Sequence, residues 1–157
     1  MITKVLFVCL GNICRSPLAE GVFQYLVDER SLSDKYRAHS AGTSNWHVGE
    51  LADPRMRKTA RSHNIELAGR ARQFNVVDFD HFDVIVAMDC RNREDLLRLA
   101  RSETDRQKVR IMRDYDVQAD GDLDVPDPYY SGSLGFENVY HIIRRSSKSL
   151  LQTLENA

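Results

Sequence analysis

Cys9-Leu10-Gly11-Asn12-Ile13-Cys14-Arg15-Ser16 sets a cysteine, then five residues, then an arginine and a hydroxyl. Each type has a chemical use. A thiolate is a strong nucleophile, and a guanidinium grips two oxygens of a tetrahedral anion at once, which lysine cannot do. A loop curled between a strand and a helix turns successive backbone N–H groups inward and forms an anion nest. Ser16-Pro17 looks like a helix start, a capping hydroxyl with proline at the first helical position, and a helix amino end favours anions. Leu10, Gly11, Asn12, Ile13, Cys14, Arg15 and Ser16 are therefore the candidate phosphate cradle. The same field favours the thiolate of Cys9, with the Ser16 hydroxyl as donor to the sulfur. A cysteine that only packs at the end of a strand is the plainer alternative. The segment lacks the Gly-Lys-Ser/Thr ending of a nucleotide loop and the glycine spacing of a dinucleotide fold, so ATP, GTP and NAD fit it poorly and no cofactor is expected.

The elements around this loop alternate strand and helix. Val5 to Cys9 is a continuous apolar run, as a parallel strand buried on both faces requires. Leu18, Ala19, Val22, Phe23, Leu26 and Val27 give the following helix one apolar face. A second strand is expected near Arg37 to Ala41, a third over Asp83 to Met88 and a fourth over Val109 to Met112. Asp53-Pro54 opens a basic helix through His63, Asn92 to Ala100 forms another, and Phe136 to Leu154 marks a long amphipathic one. The expectation is one α/β domain over residues 1–157: a four-stranded parallel sheet in flavodoxin-like order 2-1-3-4 with helices on both faces. Ligands of such sheets bind beyond the carboxyl ends of the strands, beside strand one.

The 157 residues carry 42% hydrophobic and 29% charged side chains with a net charge of -1. That balance speaks against a nucleic-acid or anionic-membrane binder. The apolar run before Gly11 is too short for a signal-peptide core or a membrane span, and an odd set of three cysteines does not make a disulfide scaffold. A cytoplasmic protein acting as a monomer, without membrane insertion, is expected. The five histidines lack metal-site spacing, so no metal is expected. Asp114 to Asp127 holds six aspartates and no Lys or Arg, and from the residues alone it is either a solvated loop or a source of acid.

Beyond the loop, Ser40-Ala41-Gly42-Thr43, Met88-Asp89 with Asn92, and Asp127-Pro128-Tyr129-Tyr130 follow in order, and with it they resemble the low-molecular-weight protein tyrosine phosphatases across nearly the whole chain. The resemblance implies hydrolysis of phosphotyrosine in proteins, and of small aryl phosphates, through a phosphocysteine on Cys9. Asp127 is then the general acid that protonates the leaving oxygen and later the base that activates water. Neighbouring Asp120, Asp122 and Asp124 would keep that carboxyl protonated for longer. Arg15 holds the phosphoryl oxygens, and Asp89 orients Arg15, caps the helix beginning near Asn92, or both. Ser16 and Ser40 brace Asn12 in a left-handed conformation. Many relatives carry histidine where Gly69 stands, and glycine cannot brace Asn12 through a side chain. Trp46 and Tyr129 match positions flanking the family's slot, and Tyr130 adds a further aromatic. Cys14 is close enough in sequence to form a reversible disulfide with Cys9, or is a small packing residue. Cys90 is most simply packing.

Two other readings remain open on sequence. An arsenate reductase uses a similar oxyanion loop but needs a relay of resolving cysteines, for which only Cys14 and Cys90 are available. A phosphopeptide-binding module would need neither nucleophile nor acid.

Overall fold

The computed structural model describes residues 1–130 and 133–157, apart from the side chains of 130 and 133. Four parallel strands, β1 (Thr3–Cys9), β2 (Tyr36–Gly42), β3 (Val84–Ala87) and β4 (Val109–Ile111), lie in the order β2-β1-β3-β4 expected from the sequence. The alternation of side chains along β1 splits the core. Val5, Phe7 and Cys9 face a layer that includes α1 (Arg15–Glu29), α2 (Pro54–Ser62) and α6 (Ser133–Glu155). Leu6 and Val8 face Phe74, Phe79, Phe82 and Leu96. Residues 5–9 of β1 are all buried, which is why this strand reads as an unbroken apolar run rather than an alternating one.

Most expected boundaries move by a residue or two. The basic helix α2 has Pro54 in its first turn and Asp53 as its cap, whose carboxylate accepts the Arg55 N–H at 2.8 Å. The helix expected from Asn92 begins earlier, as α4 (Cys90–Leu99), and Met112 leaves β4 for a 3-10 turn over Met112–Tyr115. Two short helices, α3 (Asp78–His81) and α5 (Glu103–Lys108), carry no long apolar period and were not foreseen. A second 3-10 turn, Pro128–Tyr130, precedes α6.

The start of α1 corrects the sequence reading. The helix begins at Arg15 after Cys14, with no side-chain cap, so Ser16 and Pro17 lie inside its first turn. The Ser16 hydroxyl is not spent on a cap because it is turned toward the loop. Gly42, at the end of β2, lets that loop pass: a Cβ there would lie 2.8 Å from the Leu10 carbonyl oxygen and 3.2 Å from the Asn12 nitrogen. Both contacts are with backbone, which cannot swing aside.

Phe7 is fully buried, and its ring meets Phe23 at 5.5 Å between centroids, joining β1 to α1 directly beneath the loop. Phe7→Ala is expected to lower the unfolding free energy by about 3–5 kcal/mol, measured by urea denaturation, because the cavity cannot collapse between a central strand and its helix.

Candidate active site

The loop from Cys9 to Ser16 closes over one sulfur. Cys9 Sγ lies 3.0 Å from Ser16 Oγ and accepts the Asn12 N–H at 3.3 Å. Asn12 Nδ2 donates to Ser16 Oγ at 2.7 Å, so that oxygen already has a donor and its own proton is free to point at the sulfur. The alternative acceptor for that proton, the Ala41 carbonyl, is farther away at 3.4 Å. Asn12 adopts a left-handed backbone, φ 56°, a conformation asparagine tolerates better than most residues.

Ser16 braces Asn12 as expected, but the second brace differs. Ser40 takes another partner: its hydroxyl donates to Glu20 Oε1 at 2.5 Å. The backbone N–H of Arg72 donates instead to Asn12 Oδ1 at 3.0 Å. A main-chain donor thus fixes the Asn12 amide, and a Cβ on Gly69 would meet nothing within 4 Å.

Arg15 is 3% exposed. Its Nη1 donates to Asp89 Oδ2 at 2.7 Å and to the Val125 carbonyl at 3.0 Å, and its Nε and Nη2 make no hydrogen bond among the described residues. Burial works against its charge, but the negative charges at Cys9, Asp89 and Asp127 and the Asp89 hydrogen bond outweigh burial and raise its pKa above the ordinary arginine value. Asp89 serves twice, because its Oδ1 accepts the Asn92 N–H at 2.7 Å and caps α4. The two sequence alternatives for Asp89 are one arrangement.

Asp127 Oδ2 sits 3.7 Å from Arg15 Nη2, and Oδ1 accepts the Tyr129 N–H at 3.0 Å. Three other aspartates of its run are engaged elsewhere. Asp124 accepts the Cys90 N–H at 2.9 Å, and Asp122 accepts the Asp124 N–H and pairs with Arg113 at 3.3 Å. Arg113 also donates to the Asp124 carbonyl and to Asp116, whose carboxylate is fully buried and shared with Arg145. Burial would raise the Asp116 pKa, but hydrogen bonds from Arg145, Gln118 and Arg113 more than reverse this and lower it. The acidic run is thus a loop tied down by arginines from outside it.

Above the sulfur a cavity of about 180 Å³ is lined by Cys9, Leu10, Gly11, Ile13, Cys14, Arg15, Trp46, His47, Asp127 and Tyr129. Trp46 is 70% exposed and Tyr129 37% exposed, so both stand at the mouth while the sulfur lies at the floor. The Tyr130 side chain lies outside the described residues. Cys14 is buried, and burial raises its thiol pKa, with the negative charges at Asp53, Cys9 and Asp127 adding to the effect. Among the described residues no group of three His, Cys, Asp or Glu side chains is placed to hold a metal ion.

Sequence reasoning missed several participants. His47 forms part of the wall, its ring 6.4 Å from Tyr129 and its Nδ1 3.0 Å from Glu50. Its place beside Trp46 was the only signal. Arg55, held to Asp53 at 2.8 Å, lies 5.4 Å from the Tyr129 ring centroid. The Val125 carbonyl and the Arg72 N–H are backbone groups, invisible to any reading of residue types.

A parallel α/β domain with a cysteine at the focus of a strand-to-helix loop, an arginine beside it and a carboxylate at the rim has the groups that oxyanion chemistry requires. The sequence profile described as "Low molecular weight phosphotyrosine protein phosphatase" matches residues 4–157. The chain is 47% identical to the "Low molecular weight protein-tyrosine-phosphatase" of Streptomyces coelicolor, over 96% of this chain and 93% of that protein. It is 42% identical to the pig (Sus scrofa) "Low molecular weight phosphotyrosine protein phosphatase", over 96% of each. Among solved structures, a protein tyrosine phosphatase from Entamoeba histolytica with Hepes in its active site superposes with a TM-score of 0.94 at 41% identity, over 98% of this chain and 97% of that one. The chain belongs to the low-molecular-weight phosphotyrosine protein phosphatase family.

Asp89→Asn keeps a cap acceptor for Asn92 but removes the charge that opposes Arg15. It is expected to weaken orthovanadate binding by about tenfold, the loss of one charge-assisted hydrogen bond, with little change in melting temperature. Isothermal titration and a thermal melt on the same sample check both halves.

Proposed function

We propose that the protein hydrolyses phosphotyrosine in proteins, and small aryl phosphates, by two displacements at phosphorus. The observation that carries this reading is the sulfur of Cys9 at the floor of the cavity, held by Ser16 Oγ at 3.0 Å and the Asn12 N–H at 3.3 Å, with Arg15 and Asp127 beside it. In the first step Cys9 Sγ attacks phosphorus and the P–O bond to the phenol breaks. Protonated Asp127 gives its proton to the departing oxygen. In the second step the Asp127 carboxylate takes a proton from water, the water oxygen attacks phosphorus, and the S–P bond returns its electrons to sulfur. Phosphate leaves, and the thiolate and acid are restored.

The rest of the Arg15 fork and the amides of the Cys9–Ser16 loop would hold the three equatorial oxygens of a loose phosphoryl transition state, where charge develops. Ser16 donates to the sulfur as it leaves. Substrate choice follows from depth. A sulfur 3% exposed, below a mouth formed by Trp46 and Tyr129, suits a phosphate carried on a rigid aromatic arm whose ring stacks between those faces. Phosphoserine presents its phosphate on a short arm with no ring to stack.

The whole 157-residue chain acts as one domain, a monomer of the cytoplasm, on phosphorylated protein partners. Its net charge of -1 supports no nucleic-acid role, and no helix among the described residues is long and apolar enough to cross a membrane. Cys14 stays a thiol in the resting protein. It condenses with Cys9 only after an oxidant such as peroxide has converted Cys9 to its sulfenic acid, when water leaves and the disulfide forms.

Cys9→Ser is expected to abolish turnover of p-nitrophenyl phosphate at mildly acidic pH in the presence of chelator. Asp127→Ala is expected to lose about 10²–10³ in kcat, and more on phenyl phosphate than on p-nitrophenyl phosphate, because the better leaving group needs less help from an acid. Steady-state kinetics on both substrates check this, and turnover surviving in Cys9→Ser would contradict the reading.

A further inference from the structure

Behind the loop lies a second cavity, of about 540 Å³, between α1, the outer edge of β2 and residues 64–72. That size is ordinary for a small-molecule site. Its wall includes a stretch of strand edge with open peptide groups. β2 is an edge strand, and its register against β1 runs from Thr3 opposite Tyr36 to Cys9 opposite Gly42. The Lys35 carbonyl accepts the Thr3 N–H, and the Thr43 N–H donates to the Cys9 carbonyl. The odd-numbered residues between therefore turn their peptide groups toward β1, and residues 36, 38, 40 and 42 turn theirs outward.

Both ends of the outward row are taken. The Tyr36 N–H donates to the Leu32 carbonyl, the Gly42 N–H to the Arg72 carbonyl, and the Gly42 carbonyl accepts the Phe74 N–H. The Ala38 N–H donates to Gln24 Oε1 at 3.0 Å. Between them, the Ala38 carbonyl, the Ser40 N–H and the Ser40 carbonyl have no partner among the described residues, and both residues line the cavity. The wall thus shows acceptor, donor, acceptor in a row.

Glu20 supplies a fourth polar group. It lines the same cavity, and one carboxylate oxygen accepts from the Ser40 hydroxyl, while the other has no protein partner among the described residues. Burial raises its pKa, against the Ser40 hydrogen bond and the charge of Arg72, so a further N–H donor would restore solvation that the fold has removed.

The open edge is too short for an added β-strand, which needs a run of alternate peptide groups. It matches the edge of one ring. We propose that this cavity binds a flat nitrogen heterocycle whose edge presents N–H, ring nitrogen and N–H, as a diaminopyrimidine does, to Ala38 and Ser40, with a further N–H directed at Glu20. Asn12, which joins the Arg72 N–H to Ser16, stands on the cavity wall, so an occupant sits against the bracing of the catalytic loop without entering the catalytic cavity.

The test uses the full-length, 15N-labelled protein titrated with 2,4-diaminopyrimidine at mildly alkaline pH, where its ring nitrogen is unprotonated. Saturable shifts centred on the Ser40 amide, with its proton moving downfield, are expected, and they persist under saturating orthovanadate. Unsubstituted pyrimidine gives none. Glu20→Gln weakens binding about tenfold through loss of a charge-assisted bond. Gly69→Phe, which adds a ring on the cavity wall where a Cβ has open space, is expected to weaken binding. Absence of a saturable Ser40 shift at millimolar probe, complete displacement by orthovanadate, or unchanged binding in Gly69→Phe would overturn the proposal.

Discussion

The structure depends on holding one sulfur at the point where a buried strand becomes a helix. Cys9 ends β1 and Arg15 begins α1, and between them the chain must turn tightly enough to aim its donors inward. A chain of hydrogen bonds enforces the turn: the Arg72 N–H on Asn12 Oδ1, Asn12 Nδ2 on Ser16 Oγ, and Ser16 Oγ against Cys9 Sγ. Each member is buried or part-buried, so the loss of one leaves another polar group unpaired in a poorly solvated place. The left-handed turn at Asn12 and the missing Cβ at Gly42 are the local costs of this path, and the packing of β1 between two layers offsets them.

Charge is divided among the carboxylates by what each one faces. Asp89 is tied to Arg15 and to the amino end of α4, while Asp127 keeps one oxygen near Arg15 Nη2 and accepts the Tyr129 N–H on the other. Asp116 is locked between two arginines and supports the loop from below. Asp122 and Asp124 look equivalent to Asp127 in the sequence, but they hold Arg113 and the Cys90 backbone. Similar residues in one short run therefore have three physical roles.

That division explains what was legible in the chain. The strands and long helices could be read because burial on both faces leaves unbroken apolar runs and burial on one face leaves a helical period, as in β1 and α1. The Asp53-Pro54 cap is local, so the two adjacent residue types announce it. For Ser16 the sequence suggests two roles, a helix cap beside its proline neighbour and a donor to Cys9; only the second holds, a contact with a cysteine seven positions back. Ser40 was assigned to Asn12, but its partner is Glu20, and Asn12 is held by a backbone group sixty positions away. Nothing in residue type announces a main-chain donor. Helices α3 and α5 are too short to display a period, and tertiary contacts hold them.

The central claim, that the Cys9 sulfur attacks phosphorus and carries the phosphoryl group, is tested most directly by acid-quenching the enzyme during turnover of an aryl phosphate and mapping the phosphorylated peptide by mass spectrometry. The account predicts one acid-trapped phosphorothioester, on the peptide containing Cys9, that forms and decays within the catalytic cycle. Phosphate on an aspartate or histidine, or product release with no covalent phosphoenzyme at any time, would contradict it.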